Sequence, residues 1–180
     1  ADGVRDLLTA NYASGNVNVS LGNANGTFKA GVSFDMAGAA SEVETGDLNG
    51  DGIADIITGG HYAGKVRVAL GNGDGTFKSA QSFSSAGLDF DAFQVKDLNS
   101  DGSLDVIAAG SGSAIILFGN GDGSFLNATS FNLGGDATDV ILGDFNRDGV
   151  TDLVATSETT DSVRVLFGDR ATNLVNDGTF

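Results

Sequence analysis

The feature that most constrains this chain is that it repeats itself. Asp47-Leu-Asn49-Gly-Asp51-Gly52-Ile53-Ala-Asp55 recurs as Asp97-Leu-Asn99-Ser-Asp101-Gly102-Ser103-Leu-Asp105 and as Asp144-Phe-Asn146-Arg-Asp148-Gly149-Val150-Thr-Asp152, at spacings of 50 and 47 residues. A shortened copy, Asp2-Gly3-Val4-Arg5-Asp6, opens the chain in the same register. A second motif keeps the same beat at Gly22-Asn-Ala-Asn-Gly-Thr-Phe28, Gly71-Asn-Gly-Asp-Gly-Thr-Phe77 and Gly119-Asn-Gly-Asp-Gly-Ser-Phe125, and ends the chain at Asn176-Asp-Gly-Thr-Phe180. Units of this length cannot bury a face alone and take their core from stacked neighbours.

Four short segments recur in each period. After each acidic loop comes an apolar run (Leu7-Leu-Thr-Ala, Ile56-Ile-Thr-Gly, Val106-Ile-Ala-Ala, Leu153-Val-Ala-Thr), which predicts a strand buried on both faces. The next run alternates, as in Val17-Asn-Val-Ser-Leu21 and Val66-Arg-Val-Ala-Leu70, and predicts a second strand. The Gly-Asn-Gly-Asp-Gly segment suits a hairpin turn and lacks the following helix and lysine of a phosphate-cradling loop. A third strand is expected to start at Phe28, Phe77 or Phe125, with a second Phe six residues on at Phe34, Phe83 or Phe131 and both rings on one face. A fourth segment, Glu42-Val-Glu-Thr, Ala92-Phe-Gln-Val or Thr138-Asp-Val-Ile-Leu, leads into the next acidic loop.

Four antiparallel strands every 47 to 50 residues define an all-β chain, a β-propeller built of four-stranded blades, with an open β-solenoid as the alternative. Residues 1–180 hold about 3.7 such repeats, with landmarks at 2–6, 47–55, 97–105 and 144–152. The first blade lacks a strand before its loop and the last lacks its outer strand, which leaves edges that natural sheets avoid. The expectation is a partial or self-associating propeller, either a homodimer or a segment that joins the remaining blades of a longer protein.

Composition removes several functions. With 24 Asp+Glu against 9 Lys+Arg the formal net charge is −15, which repels phosphate backbones and argues against a nucleic-acid partner. No apolar run is long enough for a membrane helix, so membrane insertion is not expected. The absence of cysteine excludes disulfides, thiolate zinc sites and a cysteine nucleophile.

The acidic loops carry the strongest chemistry. Oxygen-bearing side chains stand at positions 1, 3, 5 and 9, Gly at position 6 allows a sharp turn, and the backbone carbonyl of position 7 adds a fifth donor. Such hard oxygen ligands suit Ca²⁺ and disfavour zinc or copper. The expected ligands are Asp47, Asn49, Asp51, Ile53 and Asp55; Asp97, Asn99, Asp101, Ser103 and Asp105; and Asp144, Asn146, Asp148, Val150 and Asp152. A fourth, truncated site retains Asp2, Val4 and Asp6. No Glu follows at position 12, so Asp at position 9 closes the cage at the entry to a strand.

Other candidates are weaker. His61 stands alone beside Tyr62 and reads as a solvated loop residue; the 12 Phe recur at repeat positions and read as packing between blades, with Phe90 and Tyr12 as exceptions that could be exposed. Carboxylates off the repeat register (Asp35, Asp89, Asp91, Asp136, Glu158, Asp161) form no catalytic constellation with Lys65 or His61. Loops at Tyr12 to Asn16, His61 to Lys65, Gly110 to Ser113 and Thr159 to Ser162 join the two inner strands of each period, vary between repeats and are the place for a partner face.

Gly46-Asp-Leu-Asn-Gly-Asp-Gly-Ile-Ala-Asp55, Gly143-Asp-Phe-Asn-Arg-Asp-Gly-Val-Thr-Asp152 and Leu70-Gly-Asn-Gly-Asp-Gly-Thr-Phe77 resemble the FG-GAP repeat family, also called VCBS-type repeats, which includes the N-terminal propellers of integrin α subunits. The likeness extends over essentially the whole chain. Phe118-Gly119 and Phe167-Gly168 fit the family's name motif, Leu21-Gly22 and Leu70-Gly71 replace its Phe, and no Gly-Ala-Pro follows. The resemblance implies a propeller with Ca²⁺ in its acidic loops on extracellular adhesion, lectin or enzyme-associated proteins.

The leading expectation is a non-enzymatic, calcium-stabilised, extracellular or cell-surface binding module for a protein or carbohydrate ligand. The alternatives are a propeller segment of a polysaccharide lyase or hydrolase, and a structural subunit of a surface layer or filament.

Overall fold

The computed structural model of the chain describes residues 3–38, 40–60, 64–90 and 92–168. Among them every regular element is a strand, grouped in four antiparallel sheets. The first sheet holds β1 (Leu7–Asn11), β2 (Asn16–Ser20) and β3 (Val32–Asp35); the second holds β4 (Glu42–Gly46), β5 (Asp55–Gly59), β6 (Lys65–Ala69) and β7 (Gln81–Ser84). The third holds β8 (Ala92–Lys96), β9 (Asp105–Gly110), β10 (Ser113–Leu117) and β11 (Thr129–Asn132), and the fourth holds β12 (Ala137–Gly143), β13 (Asp152–Ser157) and β14 (Ser162–Leu166). Each complete sheet is a meander in chain order, and the acidic loop is the connection between its first two strands. Among the described residues the outer two sheets have three strands each, the first lacking the strand ahead of its loop, as its shortened repeat implies.

Strand pleating explains the core. In β5, paired with β6 at Ile56↔Ala69 and Ile57↔Val68, successive side chains point to opposite faces, so Ile56 packs toward the first sheet and Ile57 toward the third. The seam between sheets one and two buries Val17, Val19, Met36, Ile56 and Ala69; the next includes Ile57, Val66, Val68, Val106, Ile115 and Leu117; the third includes Ile107, Ala114, Ile116, Leu153, Ala155 and Leu166. Each sheet thus lends one face to each neighbour, and hydrophobic burial couples the repeats in sequence.

The phenylalanines tie the same seams, with one correction to the expected third strand. Phe34 meets Phe77 of the next sheet at 5.6 Å between ring centroids, and Phe83 meets Phe125 at 5.1 Å. Phe77 and Phe83 therefore face opposite neighbours, not one. The third strand does not run from the first Phe: Phe28, Phe77 and Phe125 make isolated bridges to Gly22, Gly71 and Gly119, and β3, β7 and β11 begin four residues later. That break resets the alternation between the two rings. Packing, as anticipated, is what these rings do.

Two further expectations change. The run at Leu7 to Ala10 is not buried on both faces: Leu7 is 46% exposed, whereas β5 and β9 are buried throughout, because the first sheet has a described neighbour on one side only. The hairpins β5–β6 and β9–β10 are also not innermost. They occupy the middle of their sheets, and it is the strand ahead of the acidic loop that meets its counterpart, β4 against β8 and β8 against β12.

Candidate functional site

The three complete acidic loops have one hydrogen-bond pattern, dictated by their residue types. The first Asp accepts from two backbone N–H groups: Asp47 from Asp51 and Gly52 (3.1 and 2.8 Å), Asp97 from Asp101 and Gly102 (3.2 and 3.0 Å), Asp144 from Asp148 and Gly149 (3.1 and 3.0 Å). Asn49, Asn99 and Asn146 accept from the N–H of position 5 and donate their amide to its carboxylate. The position-5 carboxylates of Asp51, Asp101 and Asp148 accept in turn from the N–H of Ile53, Ser103 and Val150. These are short-range Asx contacts that fold the chain back on itself. Position 6 is Gly with φ of 80°, 88° and 82°, in the left-handed region where a side chain is disfavoured.

The ninth residue works differently. Asp55, Asp105 and Asp152 are fully buried, and their carboxylates join two segments. One oxygen accepts from the second loop residue (Leu48, Leu98 or Phe145, at 2.8 to 2.9 Å) and the other from the glycine after the second strand (Gly71, Gly119 or Gly168, each 2.8 Å). In the shortened loop Asp6 makes the equivalent bond to Gly22 at 2.8 Å. Glycine is required there by close approach: a Cβ would lie 2.1 to 2.4 Å from the carbonyl oxygen of Arg5, Ala54, Leu104 or Thr151. Sequence reasoning read these aspartates as ligands only and missed the clip. The signal was present, since each such Asp is followed 14 or 16 residues later by the same glycine.

Charge is unevenly distributed over the loops. Burial pushes the carboxyls of Asp55 and Asp105 above the usual carboxylate range against the pull of their two N–H donors, and the charges of Asp51 and Asp47, or Asp101 and Asp97, push the same way. Asp51 is held below its ordinary value by Asn49 and the Ile53 N–H, and Asp101 by the Ser103 N–H and Asn99. Each loop thus carries three carboxylates, a carboxamide and a backbone carbonyl within nine residues, a donor set of the hard-oxygen type that Ca²⁺ takes. In the structure these carboxylates are turned onto backbone N–H groups, those of the first and fifth positions within the loop and that of the ninth shared with the glycine after the second strand. Among the described residues no three His, Cys, Asp or Glu side chains stand grouped to hold a metal ion. Asp2 lies outside the described residues, as do His61, Tyr62 and Asp91.

The remaining candidates separate cleanly. The Gly-Asn-Gly-Asp-Gly turns close on themselves, with Asn72 N–H on the Thr76 carbonyl (2.9 Å) and Thr76 N–H on Asp74 (2.9 Å). Phe90, expected as a candidate exposed ring, is fully buried over Gly59, whereas Tyr12 is 48% exposed. Asp35 accepts from the N–H of Ala37 at a turn. At the β13–β14 hairpin an open groove of about 380 Å³ is lined by Thr138, Thr156, Ser157, Glu158, Asp161, Ser162 and Val163. No described helix is long and apolar enough to cross a membrane.

With fold and loops in view, comparison places the chain. It belongs to the FG-GAP-like repeat family, which it matches over residues 1–58, 47–95 and 97–155. No curated protein matches it by sequence. A similar solved structure is that of an Agrocybe aegerita lectin described as recognising non-reducing terminal N-acetylglucosamine, with a TM-score of 0.66 and 26% identity. The match covers 92% of this chain and 46% of the lectin, so the chain spans about half that protein's length.

Proposed function

We propose that this chain is a non-enzymatic, calcium-braced carbohydrate-binding module of propeller type, working outside the cell or at its surface. The observation that carries the reading is the likeness in fold and sequence to a lectin over nearly the whole chain. Asp47, Asn49, Asp51, Asp55 and the Ile53 carbonyl would hold one Ca²⁺, with the corresponding sets at 97–105 and 144–152, after the carboxylates of the first and fifth positions swing from N–H donors to the ion. Residues Val4 and Asp6, with Asp2, make a lesser fourth site. Bound Ca²⁺ would cancel the mutual repulsion of the loop carboxylates and hold the first two strands of each sheet together.

The hairpin loops between the middle strands are the contact surface for the glycan. Hydroxyls and carboxylates of Ser157, Glu158, Asp161 and Ser162 line the groove beside β13–β14 and match the donors and acceptors of a sugar ring. Tyr12, on the equivalent loop of the first sheet, offers an exposed ring for stacking. A glycan array read in millimolar Ca²⁺ and in EGTA tests the reading. Binding to a defined glycan set, lost in EGTA and reduced at least about tenfold by Tyr12→Ala or Asp161→Ala, is the expected result, since a 1.4 kcal/mol contact is a factor of ten. Absence of binding to every glycan in calcium contradicts it.

A further inference from the structure

The two outward faces of the stack are cognate, and we infer that they pair between two copies of this chain, head to tail. Every internal seam joins the trailing face of one sheet to the leading face of the next. On trailing faces the seam positions are Leu48, Ile57, Val68 and Leu70 in sheet two, and Leu98, Ile107, Ile116 and Phe118 in sheet three, all packed in apolar cores. Counted from the buried Asp of each repeat, their equivalents in sheet four are Phe145, Val154, Val165 and Phe167. Phe145 is 51% exposed and the other three are half-buried, so this face has apolar seam residues without a covering sheet among the described residues.

One position sharpens the argument. The strand ahead of the loop carries Glu44 opposite Ile57 and Gln94 opposite Ile107, yet sheet four carries Ile141 opposite Val154, and Ile141 is 51% exposed. At this position the uncovered face is apolar where the covered ones carry Glu or Gln, although Asp139 and Thr156 stand where sheet three has Ala92 and Ala109.

The first sheet supplies the matching surface. Leading faces present Ile56 and Phe77 in sheet two, and Val106 and Phe125 in sheet three; Leu7 and Phe28 hold these positions in sheet one, 46% and 49% exposed. Thr9 stands where Thr58 stands in sheet two. A trailing face that ends in Phe145, Val154 and Val165 and a leading face with Leu7 and Phe28, flanked by Ser20 and Asn18 where sheet two has Ala69 and Arg67, correspond in position to the two halves of a seam already built three times in this molecule. The contact is heterologous, and two copies related by a two-fold axis form it twice and close. Two chains then carry about the length of the similar lectin, of which one chain spans 46%.

Sedimentation of the 180-residue chain from 5 to 500 μM tests this, with Leu7→Glu and Val154→Glu as single-face variants whose folding is checked by circular dichroism. A species of twice the 18.1 kDa chain mass is expected for the wild type. Each variant alone should sediment as a monomer. An equimolar mixture of the two should recover the dimer, because one seam then joins an intact trailing face to an intact leading face. A wild-type monomer throughout would overturn the inference and leave the faces to other blades of a longer protein. So would a dimer that survives Leu7→Glu, which means that sheet-four faces pair with each other, a mixture that stays monomeric, or an open-ended series of larger species.

Discussion

Asp105 and Asp101 lie four residues apart and respond to opposite environments. Asp105 is fully buried with one oxygen on the Leu98 N–H and the other on the Gly119 N–H, while Asp101 is exposed and folds the loop through Ser103. Asp105→Asn turns an amide N–H toward a backbone donor and should cost about 1–3 kcal/mol in urea unfolding even with EGTA present. Asp101→Asn keeps an acceptor for Ser103, so in EGTA its effect should stay below about 0.5 kcal/mol while calcium binding at that loop falls. Equal effects of the two substitutions in EGTA would contradict the division of labour. The pH dependence follows from the same surroundings. Asp55 and Asp105 have folded-state pKa values above the ordinary 3.8, so between that value and their raised ones the folded state binds more protons and the metal-free chain gains stability as pH falls. Asp51 and Asp101 are shifted down, so below 3.8 the unfolded state binds more protons and stability is lost. Thermal melts in EGTA should therefore rise on acidification toward pH 4 and drop below it. In calcium the rise should vanish, since protons compete with the ion.

At the scale of the element, burial on both faces separates the middle strands from the outer ones. Ile107 in β9 is fully buried within the third seam, and Ile107→Ala should cost about 2–5 kcal/mol by chemical denaturation; Leu7→Ala in β1, half-open in the single chain, should cost below about 1 kcal/mol when measured at concentrations where the chain is monomeric. Gly71→Ala places a methyl 2.4 Å from the Ala54 carbonyl and should cost about 1–3 kcal/mol despite the small change in size. A neutral Gly71→Ala would mean that the Asp55 clip is looser than its geometry. Strand number and order were legible from the repeat period and from the apolar runs, because pleating imposes alternation on any half-buried strand. The facing of Phe77 and Phe83 was not legible. It depends on a three-residue break in the ladder between the Gly71↔Phe77 bridge and β7, and pairing across strands does not appear in one segment's own pattern. The burial of Phe90 was not legible either: it stands where the other repeats have Ala40 and Ala137, and its cover comes from Gly59 of β5.

For the whole molecule, the repeat sets the order of the sheets and the family, whereas the ends depend on what meets them. The tight turns of the acidic loops could be read residue by residue, since Asp, Asn and Gly at this spacing bond the loop's own N–H groups. What the spacing concealed is that the ninth Asp is already bonded at both oxygens, so that one residue serves the fold and the proposed ion together. The account requires three ions per chain, six charges drawn against a net −15, with the shortened loop adding at most a weak fourth. Native mass spectrometry in millimolar Ca²⁺ and again after EGTA counts them. Three Ca²⁺ per chain, lost on chelation and reduced to two by Asp101→Asn, is the predicted result; a chain that stays metal-free in millimolar calcium would contradict the account at its centre.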